Sequence, residues 1–165
     1  MQKNSCVIMP APGQQPIIMF LGPDCCGKNS LMHGLAKEFG YKYFMSPRSP
    51  ICNIVYDQIY NRNEELEKEN LRLVLSFLKL KTYFILVQAK PEILVQRALA
   101  RNEKHVRTIA DFKRHIKLYN KIFNICKTNL APQYAYRFIK IDNSGDLQKT
   151  VMKLKNILES SKAIG

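Results

Sequence analysis

Two spacings alternate along this chain. Short, mostly apolar runs occur at residues 16–21, 41–45, 81–89 and 137–141. Between and after them, apolar side chains return every three or four positions. A run of the first kind predicts a strand in a parallel sheet covered on both faces; the second spacing predicts a helix with one apolar stripe. Helices are therefore predicted over 28–39 (Leu31, Leu35 and Phe39 in phase, Gly40 at the end), 51–60 and 64–79. Another begins at Pro91, whose missing N–H is harmless at a first helical position. A further helix follows Ile109, with apolar residues at 109, 112, 116, 119, 123 and 126, and Arg114, Lys117 and Lys121 on another face. Leu147, Val151, Leu154 and Leu158 stripe the last one. Pro47 and Pro50 end the second strand, because neither fits a helix interior or a central strand.

Strands that alternate with helices imply an α/β fold with a short parallel sheet of about four strands and right-handed crossovers. A length of 165 residues suits one domain, expected over residues 16–165. Residues 1–15 carry Pro10, Pro12 and Gly13 and read as a flexible arm, with neither a secretory apolar core nor an arginine-rich presequence face. No apolar run approaches the ~18 residues of a membrane span, so no membrane partner is expected. The five cysteines are odd in number and form no C-x-x-C pair, which argues against a disulfide framework or a zinc site. Free thiols fit a reducing compartment such as the cytoplasm. His33, His105 and His115 are scattered and read as surface or helix-face residues.

Charge changes the picture. Lysine plus arginine number 26 against 13 acidic residues, a net +13 that favours anionic partners. The excess peaks between Arg97 and Lys127, where nine basic residues face Glu103 and Asp111.

The chemistry lies between the first strand and the first helix, in "IIMFLGPDCCGKNSL". Gly22, Gly27 and Lys28 satisfy G-x-x-x-x-G-K, and the flanking strand and helix are the context that gives this motif meaning. The result is a P-loop NTPase fold with helices on both faces of the sheet. The two glycines let successive N–H groups point at phosphate oxygens, the helix N-terminus adds positive potential, and Lys28 bridges the terminal phosphates. The candidate nucleotide-binding residues are therefore Gly22, Pro23, Asp24, Cys25, Cys26, Gly27, Lys28, Asn29 and Ser30. Asn29 stands where a serine or threonine hydroxyl would meet Mg2+; its carboxamide oxygen is a weaker ligand for that ion. Ser30 still offers a hydroxyl to an α-phosphate. Cys25 and Cys26 read as small loop fillers, with an acidified thiol near Lys28 and the helix N-terminus as the alternative.

"GPDCCGKNS" resembles the GPDGSGKST-type loop of the thymidylate kinase and deoxynucleoside kinase group, including small phage-type members with a double cysteine. Thymidylate kinases also carry D-R-Y-x-x-S-x-x-A-Y, in which the arginine holds the acceptor's phosphate. "PRSPICNIVY" supplies Arg48 and Tyr56 at matching spacing, with Pro47 in place of the aspartate and Cys52 in place of the serine. "QAKPEILVQRALAR" looks like the family's strand-then-helix stretch with Arg97 and Arg101 as lid arginines. "IKIDNSGD" resembles the loop that approaches the adenine. The resemblance implies ATP and Mg2+ as cofactors and a (deoxy)nucleoside or its monophosphate as acceptor. It assigns catalytic roles to Lys28, Arg48, Arg97 and Arg101, acceptor binding to Arg48 and Tyr56, and a weak magnesium contact to Asn29.

The chain departs from that family in length. Lys28 and Arg48 stand 48 − 28 = 20 positions apart, room for one helix and one strand where the family inserts more. A trimmed sheet and an acceptor site open on one side are expected. Two functions stay in view. One is a small nucleotide kinase with a nucleotide substrate. The other is a non-catalytic descendant whose basic 97–127 segment binds nucleic acid or a ribonucleoprotein. A homodimer is left open beside either.

Overall fold

A computed structural model describes residues 15–61, 64–102 and 107–161. The expected arm, apart from residue 15, and residues 103–106 of the basic segment lie outside them. The element order is β1 (Ile17–Leu21), α1 (Lys28–Glu38), β2 (Phe44–Ser46), α2 (Pro50–Ile59), α3 (Glu64–Lys79) and β3 (Thr82–Gln88). Then come α4 (Pro91–Ala100), α5 (Ile109–Ile125), β4 (Phe138–Asp142) and α6 (Leu147–Ser160). The four strands form one sheet in the order β2-β1-β3-β4, every pairing parallel. Ile17 pairs with Phe44 on one side and Thr82 on the other, and Phe84 pairs with Phe138.

Alternation along the strands makes two cores. Ile18, Phe20, Ile85, Val87 and Ile141 face α1, α4 and α6, where Leu31, Leu35, Leu94, Val151 and Leu154 meet them. Met19, Leu21, Phe84, Leu86 and Phe138 face α2, α3 and α5, against Ile51, Val55, Val74, Leu78 and Phe123. Helices thus cover both faces, which is why the strands read as unbroken apolar runs.

Local chemistry sets the element ends. Gly40 adopts φ 61° after α1, and two backbone bonds close the helix: Tyr41 N–H to the Ala36 carbonyl at 2.8 Å and Gly40 N–H to the Lys37 carbonyl at 3.1 Å. This is a Schellman ending. It also consumes Tyr41, itself left-handed at φ 58°, so the strand expected over 41–45 begins later and occupies 44–46. At α5 the Thr108 side chain accepts from Asp111 N–H while the Asp111 carboxylate accepts from Thr108 N–H, a capping box. One of the two acids in the basic segment is therefore committed to a helix end. The stripe expected to run through Cys126 leaves the α-helix after Ile125. A π turn (Cys126–Leu130) and a 3-10 stretch (Pro132–Arg137), neither read from periodicity, bring the chain to β4.

All four strands end on the same edge of the sheet, and each feeds a loop there: the glycine loop after β1, Pro47–Arg48 after β2, Ala89–Lys90 after β3 and Asn143 after β4. Ligands bind at this edge in open parallel sheets.

Behind it, α1 and α6 approach closely at Gly34, where an added Cβ would sit 2.6 Å from Val151 Cγ2. Gly34→Ala is expected to lower the melting temperature by about 2–4 °C, because ~1–3 kcal/mol of overpacking outweighs the ~1 kcal/mol that alanine gains in a helix. Val151→Ala in the same background should recover part of the loss in a circular-dichroism melt. An unchanged melt for Gly34→Ala would mean the two helices do not meet there.

Candidate phosphate and acceptor site

The turn after β1 is tight. Gly22 has φ 140°, and a Cβ on it would lie 2.1 Å from the Val87 carbonyl oxygen, so only glycine fits against β3. Gly27, at φ 90°, begins α1 and leaves no room for a side chain because Asn143 Nδ2 would be 2.4 Å from its Cβ. Cys25 between them is also left-handed, at φ 63°.

The loop is braced from behind. Asn143 Nδ2 donates to the Cys26 carbonyl at 2.9 Å. Arg97 Nη1 reaches the Cys25 and Cys26 carbonyls at 3.4 Å each, and Nη2 donates to the Asn143 carbonyl at 2.7 Å. Lys28 Nζ donates to the carbonyls of Gly22 at 2.7 Å and Pro23 at 2.8 Å, placing its ammonium over the loop. The β4 loop is itself fixed by Asn143 N–H to the Gln88 carbonyl at 2.7 Å and Lys90 N–H to Ser144 Oγ at 2.9 Å.

In front of the loop lies a cleft of about 320 Å³. Of the residues singled out from sequence, Gly22, Asp24, Cys25, Gly27, Lys28, Asn29, Arg48, Tyr56 and Arg101 line it. Pro23 and Cys26 are buried in the loop, Ser30 is exposed on the first turn of α1 beyond the cleft wall, and Arg97 holds the carbonyl side of the loop. Arg48 and Arg101 are exposed on the wall, with no side-chain hydrogen bond or ion pair to a described residue.

Asp24 is the carboxylate of the cleft wall among the described residues. It forms an ion pair with Arg107 and accepts from Tyr56 Oη at 3.0 Å. Burial alone would raise its pKa; the Arg107 guanidinium, helped by Lys28 and Tyr56, outweighs burial and holds it below the usual carboxylate range. Burial and the Asp24 charge together push the Tyr56 hydroxyl up, so it remains a donor. The Tyr56 ring stacks on Tyr60, centroids 6.2 Å apart. For Cys26 the acidified-thiol alternative fails: its sulfur is 3.7 Å from Lys28 Nζ, yet complete burial wins and raises its pKa. His115, expected on a surface or helix face, is buried on α5, and that burial followed by Arg107 lowers its pKa.

The geometry suits a nucleotide phosphate: a turn whose two glycines exclude any side chain, a helix N-terminus and a lysine ammonium. For magnesium the donor set is thin. No group of three or more His, Cys, Asp or Glu side chains comes together among the described residues, and Asn29 is an exposed carboxamide.

Arg107, Asn143, Asn53 and Tyr119 belong to this site and were not singled out from sequence. Arg107 pairs with a residue 83 positions away, and Asn143 with one 117 positions away, so no local spacing could show either.

No protein-family model matches the chain, and no curated protein matches it. Solved structures do. The YorR protein from Bacillus subtilis, in complex with phosphorylated GDP, superposes with a TM-score of 0.63 at 16% identity, over 88% of this chain and 96% of that one. Deoxyadenosine kinase from M. mycoides with bound dCTP gives 0.63 at 14% identity, over 87% and 99%. What these likenesses show is the fold: a short parallel sheet with helices on both faces. The likeness covers most of this chain and nearly the whole length of each neighbour. No helix among the described residues is long and apolar enough to cross a membrane.

The Asp24–Arg107 pair makes a pH prediction. A carboxylate whose folded pKa lies below its unfolded value of 3.8 contributes stability that is present above pH 3.8 and lost as pH falls through the folded value. Thermal melts of the parent and Asp24→Asn should therefore differ at pH 5–6 and converge on acidification below pH 3.8. A constant gap down to the lowest pH would show that the pair does not form.

Proposed function

We propose that the chain is a P-loop phosphotransferase acting on nucleotides, with ATP as donor and a thymidylate-like deoxynucleoside monophosphate as acceptor. The observation that carries this reading is the charge of the cleft. Lys28, Arg48 and Arg101 stand on its wall, and its one described carboxylate, Asp24, is already committed to Arg107 and Tyr56. A neutral hydroxyl acceptor calls for a free base of suitable pKa within reach. A phosphate oxygen is already an anion and calls for cations to hold it. The cleft supplies cations.

Each residue then has a part. The N–H groups of the Gly22–Lys28 turn and the N-terminus of α1 hold the donor's phosphates. Lys28 moves its ammonium from loop carbonyls to phosphate oxygens. Arg48 holds the acceptor's phosphate against them, and Arg101 adds charge where it develops during transfer. Arg97 and Asn143 keep the loop in shape. Magnesium, when bound, neutralises phosphate charge, and Asn29 would meet it through a carboxamide oxygen.

A second reading rests on α5. Lys113, Arg114, Lys117 and Lys121 are exposed there, and none pairs with a described acidic side chain. On this reading the fold is retained without turnover and the row of cations binds nucleic acid. Its mark would be an affinity that falls linearly on a log–log plot against salt concentration.

Calorimetry with ATP, with and without magnesium, followed by ADP release against nucleosides and their monophosphates, tests the first reading. Lys28→Ala is expected to weaken ATP binding about 100-fold, the loss of one or two charge-assisted hydrogen bonds at ~1.5–3 kcal/mol each. Asn29→Thr should leave ATP affinity alone and raise turnover about tenfold, which is ~1.4 kcal/mol at the barrier. ATP binding with no release of ADP against any acceptor would sink the transferase and leave the second reading.

A further inference from the structure

Tyr119 sits on α5 in phase with the apolar stripe and is 1% exposed, like its core neighbours. Its ring packs in the core beneath the sheet, but the residue also lines the cleft. Its hydroxyl has no well-aligned hydrogen-bond partner among the described residues. Cys52 comes within weak hydrogen-bond reach of it, and Tyr56 and Asp24 also act on it electrostatically; all three line the cleft. A thiol such as Cys52 is a weak acceptor at best. A buried hydroxyl with no better partner than a thiol is destabilising, so its presence calls for a reason. Burial also keeps it protonated, hence a donor.

Asn53 lines the same cleft one position after Cys52. Its orientation is set from behind. Asn70 Nδ2 donates to the Leu66 carbonyl at 2.8 Å, which turns Asn70 Oδ1 toward Asn53, and Asn53 Nδ2 donates to that oxygen at 3.1 Å. Asn53 Oδ1 is left without a described partner, as an acceptor. The lining of the cleft thus includes one donor and one acceptor, while Arg48 offers a cation.

We propose that Tyr119 and Asn53 read the edge of a nucleobase, the Tyr119 hydroxyl donating to a ring nitrogen or carbonyl and Asn53 Oδ1 accepting from a ring or exocyclic N–H, while Arg48 holds the phosphate of the same acceptor. This rests on the kinase reading above and names what the acceptor must carry beyond its phosphate. The residues act on acceptor binding and make no contact with the donor.

The test is calorimetry on the parent, Tyr119→Phe and Asn53→Ala with four probes: ATP, thymidine 5′-monophosphate, deoxyadenosine 5′-monophosphate and the abasic 2-deoxyribose 5-phosphate. Melts of the unliganded proteins accompany it. Both variants should bind at least one base-bearing monophosphate about 3–10-fold more weakly, the loss of one hydrogen bond. ATP and the abasic sugar phosphate should bind as they do to the parent, and Tyr119→Phe should melt no lower than the parent. Asn53 is exposed, so its variant tests the site without touching the core. Unchanged monophosphate affinity in both variants, equal losses with the abasic probe, or a clearly lower melt for Tyr119→Phe would overturn the proposal. A parent that binds ATP but neither monophosphate overturns it too, with the phosphate loop intact. A parent that does not bind ATP overturns the kinase reading beneath it.

Discussion

A loop that turns its N–H groups toward a phosphate turns its carbonyls the opposite way, into the protein, where each needs a donor. In this chain the donors come from the far end of the sheet. Asn143, after β4, gives its amide to the Cys26 carbonyl, and Arg97, on α4, spreads one guanidinium over the carbonyls of Cys25, Cys26 and Asn143. The shape of the loop after β1 therefore depends on two elements more than 70 residues downstream. The depth of the Gly22 turn is set by a third contact, the Val87 carbonyl of β3. The parallel sheet order β2-β1-β3-β4 is what makes these meetings possible, because it brings the ends of β1, β3 and β4 side by side.

The same arrangement separates two kinds of arginine. Arg97 is consumed by backbone carbonyls, while Arg48 and Arg101 keep their guanidinium groups toward the cleft. A lysine at position 97 would offer all its donors from one nitrogen, whereas the guanidinium reaches these carbonyls from two, Nη1 and Nη2. Asp24 is likewise held, by Arg107 and Tyr56, so the cleft presents cations to its contents and keeps its carboxylate occupied.

Much of this was legible in the residues. The alternation of unbroken apolar runs with a three-and-four spacing marked all four strands and the helices, because each strand is covered on both faces and each helix on one. Gly22, Gly27 and Lys28 marked the loop, since few residue types tolerate that backbone. The start of β2 was misplaced because Gly40 and Tyr41 close the preceding helix, and their effect on the strand depends on backbone bonds back to Lys37 and Ala36. In the sequence Arg107 is one charge in a basic block; its partner, Asp24, lies in the glycine loop. Tyr119 reads as core and is core; that it also lines the cleft depends on how α5 is rotated against α2, which periodicity alone does not fix.

The guanidinium groups of Arg48 and Arg101, unpaired with any described residue, also bear on how the purified protein behaves in ordinary buffers. Any small dianion that enters the cleft stabilises the folded chain by mass action, in proportion to the logarithm of its concentration over its dissociation constant. On the phosphotransferase reading, phosphate or sulfate in a storage buffer would act as a competing ligand, raising the melting temperature and at the same time masking nucleotide affinity. Zwitterionic buffers at moderate chloride would remove that competitor.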